Sequence, residues 1–357
     1  MASPRRVLVL RAGTGASNNL LRSLRAGDPA LVLVGAHTDR FVLKKSDADR
    51  NHLLPESGLV DALRDVIERE RIDLLLPNNE PDVALVSGVR EELPCRTFLP
   101  APNVIALCQD KYALTEFVRA RGLAAPVTYP VADLETIADV FGRLPSQPRL
   151  WCRIRRGAGS MGALPVKSPD QARSWIGYWH EMRGVPPTDF TISEYLPGRD
   201  YSAQGLWKDG RLVLLKMSER LSYFGGHHQP SGTSSTPSLA KTVLEPAVLT
   251  LCTEVVRALD PGASGVFSFD LRENAGGVPH LTEVNAGRFA MITPIYDLTG
   301  KHNMAVTYVR LAFDEPVDVG DPWDIAEDHY LVRDLDTTPA VFDAEDLFDG
   351  IEPSPHA

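Results

Sequence analysis

Three oxygen-bearing side chains lie close together on a predicted β-hairpin in the stretch FDLRENAGGVPHLTEVN, which ends at Asn285. With the turn at Gly276-Gly277, where both residues can take positive φ, Asp270 lies directly opposite Glu283, and Asn285 follows on the same face. Two carboxylates about 5 Å apart repel each other unless one is protonated or a cation lies between them. An all-oxygen ligand set of this kind suits Mg²⁺, which takes its remaining ligands from water and phosphates. A solvated acidic strand face is the alternative interpretation.

The opposite face of this hairpin is apolar. Phe267, Phe269 and Leu271 alternate with the polar positions and are expected to point into a core. The same register sets Leu271 opposite Thr282. One face of the hairpin is therefore predicted to be buried, whereas the pattern leaves open whether the acidic face is enclosed.

Two glycine-rich loops have the composition of phosphate-binding loops. GTGASN, from Gly13, follows a strand and opens a helix, but Asn18 stands where a dinucleotide site has its third glycine, and no acid ends the second strand. GAGSMG, from Gly157 to Gly162, has the G-x-G-x-x-G spacing but lies between two predicted strands, because Pro165 falls where a helix would need backbone donors. Such a flap can lay backbone N–H groups over phosphates. A plain hairpin turn is the alternative.

The composition excludes several classes of protein. The chain has 357 residues, enough for two or three domains, and its formal net charge of −10 argues against nucleic acid or an anionic membrane as the main partner. The apolar run near the N-terminus, VLVL, is too short for a signal peptide or a membrane span. The four cysteines are widely spaced without a CxxC pair, which predicts a reducing, cytoplasmic setting. A local basic cluster interrupts the acidic balance just before the flap: Arg153, Arg155 and Arg156.

The order of apolar patterns predicts two kinds of architecture. Residues 5–100 alternate strand and helix patterns, which indicates a parallel sheet with crossover helices. A helix is predicted from Lys111 to Arg121, with Asp110 as its N-cap and Gly122 just past its end. Strands and helices continue to alternate after Pro126, with helices predicted near DLETIADVFGRL and PDQARSWIGYWHEM. From Phe190 strands dominate, interrupted by helices predicted at 246–259 and 302–312. The acidic tail beyond about residue 318 is expected to pack only in part.

Taken in order, these motifs resemble the ATP-grasp superfamily, in particular the synthetase domains of the carbamoyl-phosphate synthetase large subunit and related carboxylate–amine ligases. The order is a Rossmann-like region, a lysine at the start of a helix, a strand with a basic residue, a glycine flap, an acidic hinge and D…EVN. The resemblance covers roughly residues 5–315 and implies an α/β Rossmann-like pre-ATP-grasp domain followed by an α+β, two-subdomain ATP-grasp fold. The implied regions are the pre-ATP-grasp domain at 1–105, the first subdomain with its flap at 106–187, the second subdomain with the metal hairpin at 188–318, and the acidic tail at 319–357.

The resemblance also implies a nucleotide and metal site. Lys111 in QDKYALTEF and Arg153, where most members have lysine, would contact the nucleotide phosphates. The stretch ISEYLPGRDYS resembles the hinge that holds adenine and ribose, with Asp200 in place of the usual glutamate. The implied nucleotide-binding residues are Lys111, Arg153, Gly157, Ala158, Gly159, Ser160, Gly162, Glu194, Tyr195, Leu196 and Asp200. The implied metal ligands are Asp270, Glu283 and Asn285.

Three basic residues are the candidates for catalytic contacts. Lys216 and Arg220 begin the loop KMSERLSYFGGHHQPSGTSSTPS, which is expected to cover the acceptor site, and would hold phosphate or carboxylate; simple solvation is the alternative. Arg288, in EVNAGR, is displaced by one residue from the family's EVNPR. Zinc at His227-His228 is disfavoured, because adjacent strand residues point to opposite faces and no third ligand is suitably spaced. One of these histidines acting as a general base is kept as a hypothesis.

Two further groups of residues have an ordinary structural interpretation beside a functional one. Trp151, Trp175 and Trp179 are better explained by packing than by an adenine stack, since the last two share one helix face. His302-Asn303 either face a ligand or cap the last helix.

The sequence therefore predicts an ATP- and Mg²⁺-dependent ligase, with Mn²⁺ as a substitute metal. It would activate a small-molecule carboxylate as an acyl phosphate and join it to an amine or similar nucleophile, releasing ADP and phosphate. Bicarbonate as the carboxylate stays open, and a homodimer is an expectation from the superfamily alone. The alternatives are an NAD(P)-dependent oxidoreductase built on the first domain and a non-catalytic nucleotide-binding regulatory module. The absent ribose-binding acid counts against the first, and the complete metal-ligand set counts against the second.

Overall fold

A computed structural model describes residues 4–157, 159–234, 236–291, 296–297, 299–333 and 349–353. Three sheets organise these residues: a parallel sheet formed mostly by the first hundred residues, a small antiparallel sheet and a larger antiparallel sheet. The predicted combination of a parallel α/β region and antiparallel α+β regions is thus observed. No helix in the described ranges is long and apolar enough to cross a membrane.

The parallel sheet has the strand order β15-β3-β2-β1-β4. Its first strand reads RVLVL, and four of its five residues are buried, as expected for a parallel strand with both faces covered. The strands are β1 Arg6–Leu10, β2 Val32–His37, β3 Arg50–Leu53, β4 Leu74–Leu76 and β15 Ile351–Pro353. The helices that follow them are α1 Gly15–Gly27, α2 Arg40–Leu43, α3 Leu59–Glu70, α4 Glu80–Val89 and α5 Pro102–Cys108.

The small antiparallel sheet has the order β5-β8-β6-β7 and carries the flap between β6 and β7. The predicted strand–loop–strand arrangement of GAGSMG is therefore confirmed. Its strands are β5 Thr128–Pro130, β6 Leu150–Ile154, β7 Leu164–Val166 and β8 Phe190–Glu194. The helices of this part are α6 Lys111–Arg119, α7 Ile137–Arg143 and α8 Pro169–Arg183. Asp110 caps α6 as predicted, since its carboxylate accepts a hydrogen bond from Ala113 N at 3.1 Å.

The larger antiparallel sheet has the order β13-β12-β9-β10-β11-β14. Its strands are β9 Asp200–Lys208, β10 Arg211–Tyr223, β11 Pro237–Thr242, β12 Gly265–Glu273, β13 Pro279–Ala286 and β14 Tyr330–Val332. Two helices accompany them, α9 Pro246–Leu259 and α10 Met304–Ala312. Asn303 caps α10 by accepting from Val306 N at 2.9 Å, so the capping interpretation of this residue is correct.

The tail beyond residue 318 is partly ordered into both large sheets. β14 pairs with β11, and β15 pairs in parallel with β3 at the edge of the first sheet. Residues 334–348 and 354–357 of the predicted acidic tail lie outside the described residues.

The hydrophobic cores do not stop at the borders between the sheets. One core combines residues of β1, α1, β9, β10 and α10. Val7 and Val9 of β1 belong to the same cluster as Tyr308 of α10. Asn303 also donates from its side-chain amide to Ser23 O at 2.7 Å. The parallel sheet is therefore covered on one side by a helix that comes nearly 300 positions later in the sequence.

The Asn18 side chain fills the GTGASN loop at the end of β1. Asn18 is 2 % exposed, and its amide oxygen accepts from Gly13 N at 3.1 Å while its nitrogen donates to Lys45 O at 2.7 Å. A Cβ on Gly13 would lie 1.8 Å from Val42 O. The backbone donor that a dinucleotide phosphate would need is thus already used, which gives a physical reason why this loop departs from the dinucleotide pattern.

The loop can be tested with Gly13→Ala and, as a matched control, Gly122→Ala. Both glycines have positive φ, +90 and +73, but a Cβ at Gly122 meets nothing within 4 Å. We expect Gly13→Ala to lower the free energy of unfolding by about 3 kcal/mol or more, and Gly122→Ala by only about 1 kcal/mol, the cost of the backbone conformation alone. Urea unfolding of both variants measures the difference; equal losses would contradict the close packing at Gly13.

Candidate active site

A cavity of about 800 Å³ lies where the two antiparallel sheets meet the end of β4. Its walls come from different elements: the flap, the hinge after β8, the acidic faces of β9, β12 and β13, and the first turn of α4. Such a location, beyond the carboxyl end of a parallel strand, is typical of ligand sites.

The acidic hairpin forms one wall of this cavity. Asp270 on β12 is directly opposite Glu283 on β13, as predicted, and Asn285 lies two residues further along the same face. Burial raises the pKa of the Glu283 carboxyl, and the neighbouring Asp270 adds to that rise, whereas Lys111 opposes it. Three oxygen donors in a half-buried cavity match the donor set that Mg²⁺ prefers.

The register of this hairpin differs from the prediction only between Asp270 and the turn. The loop runs from Asn274 to Val278, with only Gly277 in the left-handed region at φ +75, rather than a two-residue Gly-Gly turn. Leu271 consequently pairs with Leu281 and not with Thr282. A bulge at Thr282 absorbs the difference, so that the two acids still face each other.

The bulge also links the hairpin to the flap-bearing sheet. The Thr282 carbonyl accepts from the guanidinium of Arg153 at 3.0 Å, and its hydroxyl donates to Asp270 O at 2.9 Å. Burial lowers the pKa of Arg153, and its Nε is buried without a hydrogen-bond partner among the described residues. A buried donor without a partner in a cavity wall fits an anionic ligand oxygen.

Lys111 lies between the flap and the hairpin. Its ammonium group donates to the Gly157 carbonyl and is 3.6 Å from Glu283 Oε2. Arg155 and Arg156 donate to the two carboxylate oxygens of Asp110 at 2.6 and 2.8 Å and anchor the start of α6. Arg153 and Arg156 line the cavity, whereas Arg155 does not.

The flap contributes Gly157, Gly159 and Ser160 to the cavity, and all three have positive φ. Ala158 lies outside the described residues. Gly162 is a correction: it does not line the cavity, because it packs at the base of the flap, where a Cβ would lie 2.6 Å from the Ile154 side chain.

The hinge after β8 lines the cavity with Glu194, Tyr195 and Leu196. The Glu194 carboxylate accepts from Val127 N at 2.5 Å, so its side chain holds the backbone before β5. The prediction that Trp151 belongs to a core is wrong, since it lines the cavity with its ring 6.2 Å from that of Tyr195. Trp175 and Trp179 pack against the core of the small sheet as predicted.

Asp200 and Arg220 face each other across β9 and β10 inside the cavity. Arg220 donates to Asp200 Oδ1 at 3.1 Å and also to Asp270 Oδ1, and Tyr223 donates its hydroxyl to Asp200 Oδ2. Burial raises the pKa of Asp200, although Arg220 opposes the shift. Arg220 is thus paired and mostly buried, and the alternative that it is simply solvated is wrong.

Lys216 is a correction to the predicted catalytic set. It is 1 % exposed and does not line the cavity. Its ammonium group donates to Tyr296 O at 2.8 Å and His302 O at 2.6 Å and lies 3.1 Å from Asp324 Oδ2. Lys216 therefore holds the segment from Tyr296 to His302 and the residue Asp324 against β10. This contact gives no support to the hypothesis that His302 faces a ligand.

Arg288 remains at the cavity despite the extra residue before it. Gly287 takes φ +90, and the Arg288 guanidinium donates to Asn285 Oδ1 at 2.6 Å and lies 3.6 Å from Glu80 Oε1. His227 and His228 are both exposed and lie in a short 3₁₀ turn, not on a strand, with their rings 3.9 Å apart. The assumption that they point to opposite faces is wrong, and neither lines the cavity.

The sequence analysis missed the cavity residues of the first region, among them Asn78 and Glu80. Glu80 opens α4, and the Asn78 amide oxygen accepts from Phe289 N at 3.1 Å, which fixes the chain beside Arg288. Both belong to the stretch LLLPNNE, and polar residues just after a buried parallel strand are a signal that would have placed them at this edge.

The fold is shared with several solved enzymes. An L-amino acid ligase from Bacillus licheniformis superposes with a TM-score of 0.66 at 13 % identity over 87 % of this chain and 75 % of its own. The biotin carboxylase domain of Hydrogenobacter thermophilus 2-oxoglutarate carboxylase, solved with MgADP, ADP and bicarbonate, gives 0.70 at 14 % identity over 92 % and 74 %. A carboxyaminoimidazole ribonucleotide synthase from Aspergillus clavatus, solved with ATP, gives 0.67 at 14 % identity over 90 % and 80 %.

These structures are ATP-grasp proteins, and the chain has the ATP-grasp fold. The resemblance of the ordered sequence motifs to ATP-grasp proteins is therefore confirmed at the level of the mixed α/β fold. No family model matches the sequence, and no curated protein matches it at a significant level.

The structural role of Lys216 can be tested with Lys216→Met. Removing one member of a buried ion-pair network leaves Asp324 without its cation, so we expect a loss of about 3–5 kcal/mol in the free energy of unfolding. Lys241→Met is the matched control, since Lys241 pairs with the exposed Asp328 at 3.5 Å and should cost less than about 1 kcal/mol. Thermal and urea unfolding measure both; a stable Lys216→Met protein that fails to bind nucleotide would restore the catalytic assignment.

Proposed function

We propose that the protein is an ATP- and Mg²⁺-dependent ligase that activates a carboxylate as an acyl phosphate and joins it to an amine. The observation that carries the proposal is the Asp270–Glu283 pair, two acids that face each other in the wall of a cavity shared with a glycine flap. The ATP-dependent neighbours with the same fold support it.

Asp270, Glu283 and Asn285 would hold the metal. Mg²⁺ held by these residues would supply positive charge that offsets the charge on the phosphates. The oxygen donors, together with the buried Arg153 Nε, fit a metal bound beside a polyphosphate.

The residues of the chain divide the remaining tasks. Lys111 and Arg153 would bind phosphate oxygens, and the flap from Gly157 to Ser160 would cover them and exclude water from the acyl phosphate. The hinge at Glu194–Leu196 would hold the adenine edge. Asp200 would accept from the ribose hydroxyls.

Arg288 lies at the other end of the hairpin, beside the first region. It would hold the carboxylate while the γ-phosphoryl group is transferred to it, because a guanidinium can donate two parallel hydrogen bonds to a carboxylate or phosphate. The amine then attacks the carbonyl carbon, the C–O bond to phosphate breaks, and phosphate leaves as the amide bond forms.

The reaction class can be tested by ADP release from Mg-ATP with a panel of carboxylates, bicarbonate included, with and without amines. We expect release to depend on one carboxylate, and hydroxylamine to trap the activated acid as a hydroxamate. Product mass identifies the bond formed. Phosphate release that no carboxylate and amine stimulate would favour a non-catalytic module. Stabilisation by NAD(P) and not by Mg-ATP would favour an oxidoreductase.

The metal assignment predicts that Glu283→Gln abolishes ADP formation. The amide keeps the size of the side chain but removes the charge that a divalent cation needs, so we expect turnover to fall at least about 100-fold, as for loss of one strong electrostatic contact. The melting temperature should change little. Glu181→Ala, on the exposed side of α8, is the control and should retain full activity. Normal turnover of Glu283→Gln would refute the metal site.

A further inference from the structure

Arg220 places its positive charge between two acids of the cavity, Asp200 and Asp270. It lies on β10 opposite Asp200 of β9, and Asp270 of β12 lies opposite the next-but-one residue of β9, Ser202. The guanidinium therefore spans β9 diagonally. One amino group donates to Asp200 Oδ1 at 3.1 Å and the other to Asp270 Oδ1.

This contact conflicts with direct use of the proposed metal site. The Asp270 oxygen that accepts from Arg220 cannot at the same time give its full charge to a divalent cation. A guanidinium stays protonated in proteins, so this contact joins a permanent cation to the Asp270 carboxylate. The Arg220 side chain is only 12 % exposed.

The acids around the hairpin already have basic partners. Arg220 and Arg272 lie beside Asp200, Arg220 also contacts Asp270, and Lys111 lies beside Glu283. A divalent cation entering alone would bring two positive charges beside these bases, and repulsion between like charges disfavours its binding. A cation that arrives with a polyphosphate brings its own excess of negative charge.

We infer that Arg220 is a built-in counter-cation that closes the metal site until metal and nucleotide phosphates arrive together. The inference rests on the proposed function and adds an order of binding to it. When the metal takes Asp270, the Arg220 guanidinium is released and can donate its two amino groups to the incoming phosphates.

Asp200 is prepared for this exchange. Its second oxygen accepts from the Tyr223 hydroxyl and lies 3.8 Å from the Arg272 guanidinium. Both groups remain when Arg220 turns away, so a buried carboxylate is not left without a partner. Asp270 has the metal as its new partner.

The test is Mn²⁺ binding, followed by the electron paramagnetic resonance signal of free Mn²⁺, to the wild-type protein, Arg220→Met and Arg220→Lys. Without nucleotide, we expect Arg220→Met to bind one Mn²⁺ about tenfold more tightly than the wild type, a change of about 1.4 kcal/mol. Arg220→Lys keeps the charge and should behave like the wild type. The double variant Arg220→Met/Glu283→Gln should lose the gained site, which places the ion at the hairpin.

The wild-type protein alone gives a second measurement, independent of whether Arg220→Met folds. With a non-hydrolysable ATP analogue present, the protein should bind Mn²⁺ about tenfold or more tightly than the analogue alone binds the ion. Equal Mn²⁺ affinity with and without the analogue would overturn the inference, as would a folded Arg220→Met protein that gains no site. If the wild type binds neither Mn²⁺ nor the analogue, the proposed function fails. If it binds Mn²⁺ equally well with and without the analogue and still forms ADP from ATP, only the role of Arg220 fails.

Discussion

The repulsion between two apposed carboxylates is the constraint on which the rest of the site depends. Asp270 and Glu283 are held in register by the β12–β13 ladder, and the backbone gives them no freedom to separate. Every cation near them can be understood as a response: Arg220 on Asp270, Lys111 and Arg153 near Glu283. Basic side chains therefore offset the charge of the two acids in this structure. In the proposed reaction, a metal ion would replace Arg220 as the partner of Asp270.

That balance also explains why three separate sheets are needed. The acids come from the larger antiparallel sheet, Arg153 reaches the bulge carbonyl of Thr282 from the small sheet, and Asn78 and Glu80 come from the end of the parallel sheet. Each contact crosses a border between elements. A movement of the flap-bearing sheet would therefore be felt at the hairpin through Arg153, which gives nucleotide binding and metal binding a common physical path.

Local patterns were sufficient to predict the elements and the facing acids, but not the distances along a strand. The predicted turn is wrong by one residue, and the bulge at Thr282 compensates for it. Asp270 therefore faces Glu283 as predicted, whereas the pairs between Asp270 and the turn differ from the prediction. Lys216 and Arg220 share one face of β10 by alternation. Four residues separate them by about 13 Å, however, which carries Lys216 out of the cavity and under the segment from Tyr296 to His302. No periodicity in the sequence reports where a cavity ends. The contributions of Asn78 and Glu80 depend on how the sheets meet, which single-element patterns do not contain.

The helix α10 has a consequence for how the chain acquires its structure. Met304, Tyr308 and Val309 complete the core that begins with Val7 and Val9, and β15 adds an edge strand beside β3. During synthesis, the part of this core that α10 covers stays open until residues 304–312 have been made. Contacts this distant in sequence are slow to form, so the first region is expected to be the part that most needs protection by chaperones while the chain is being made.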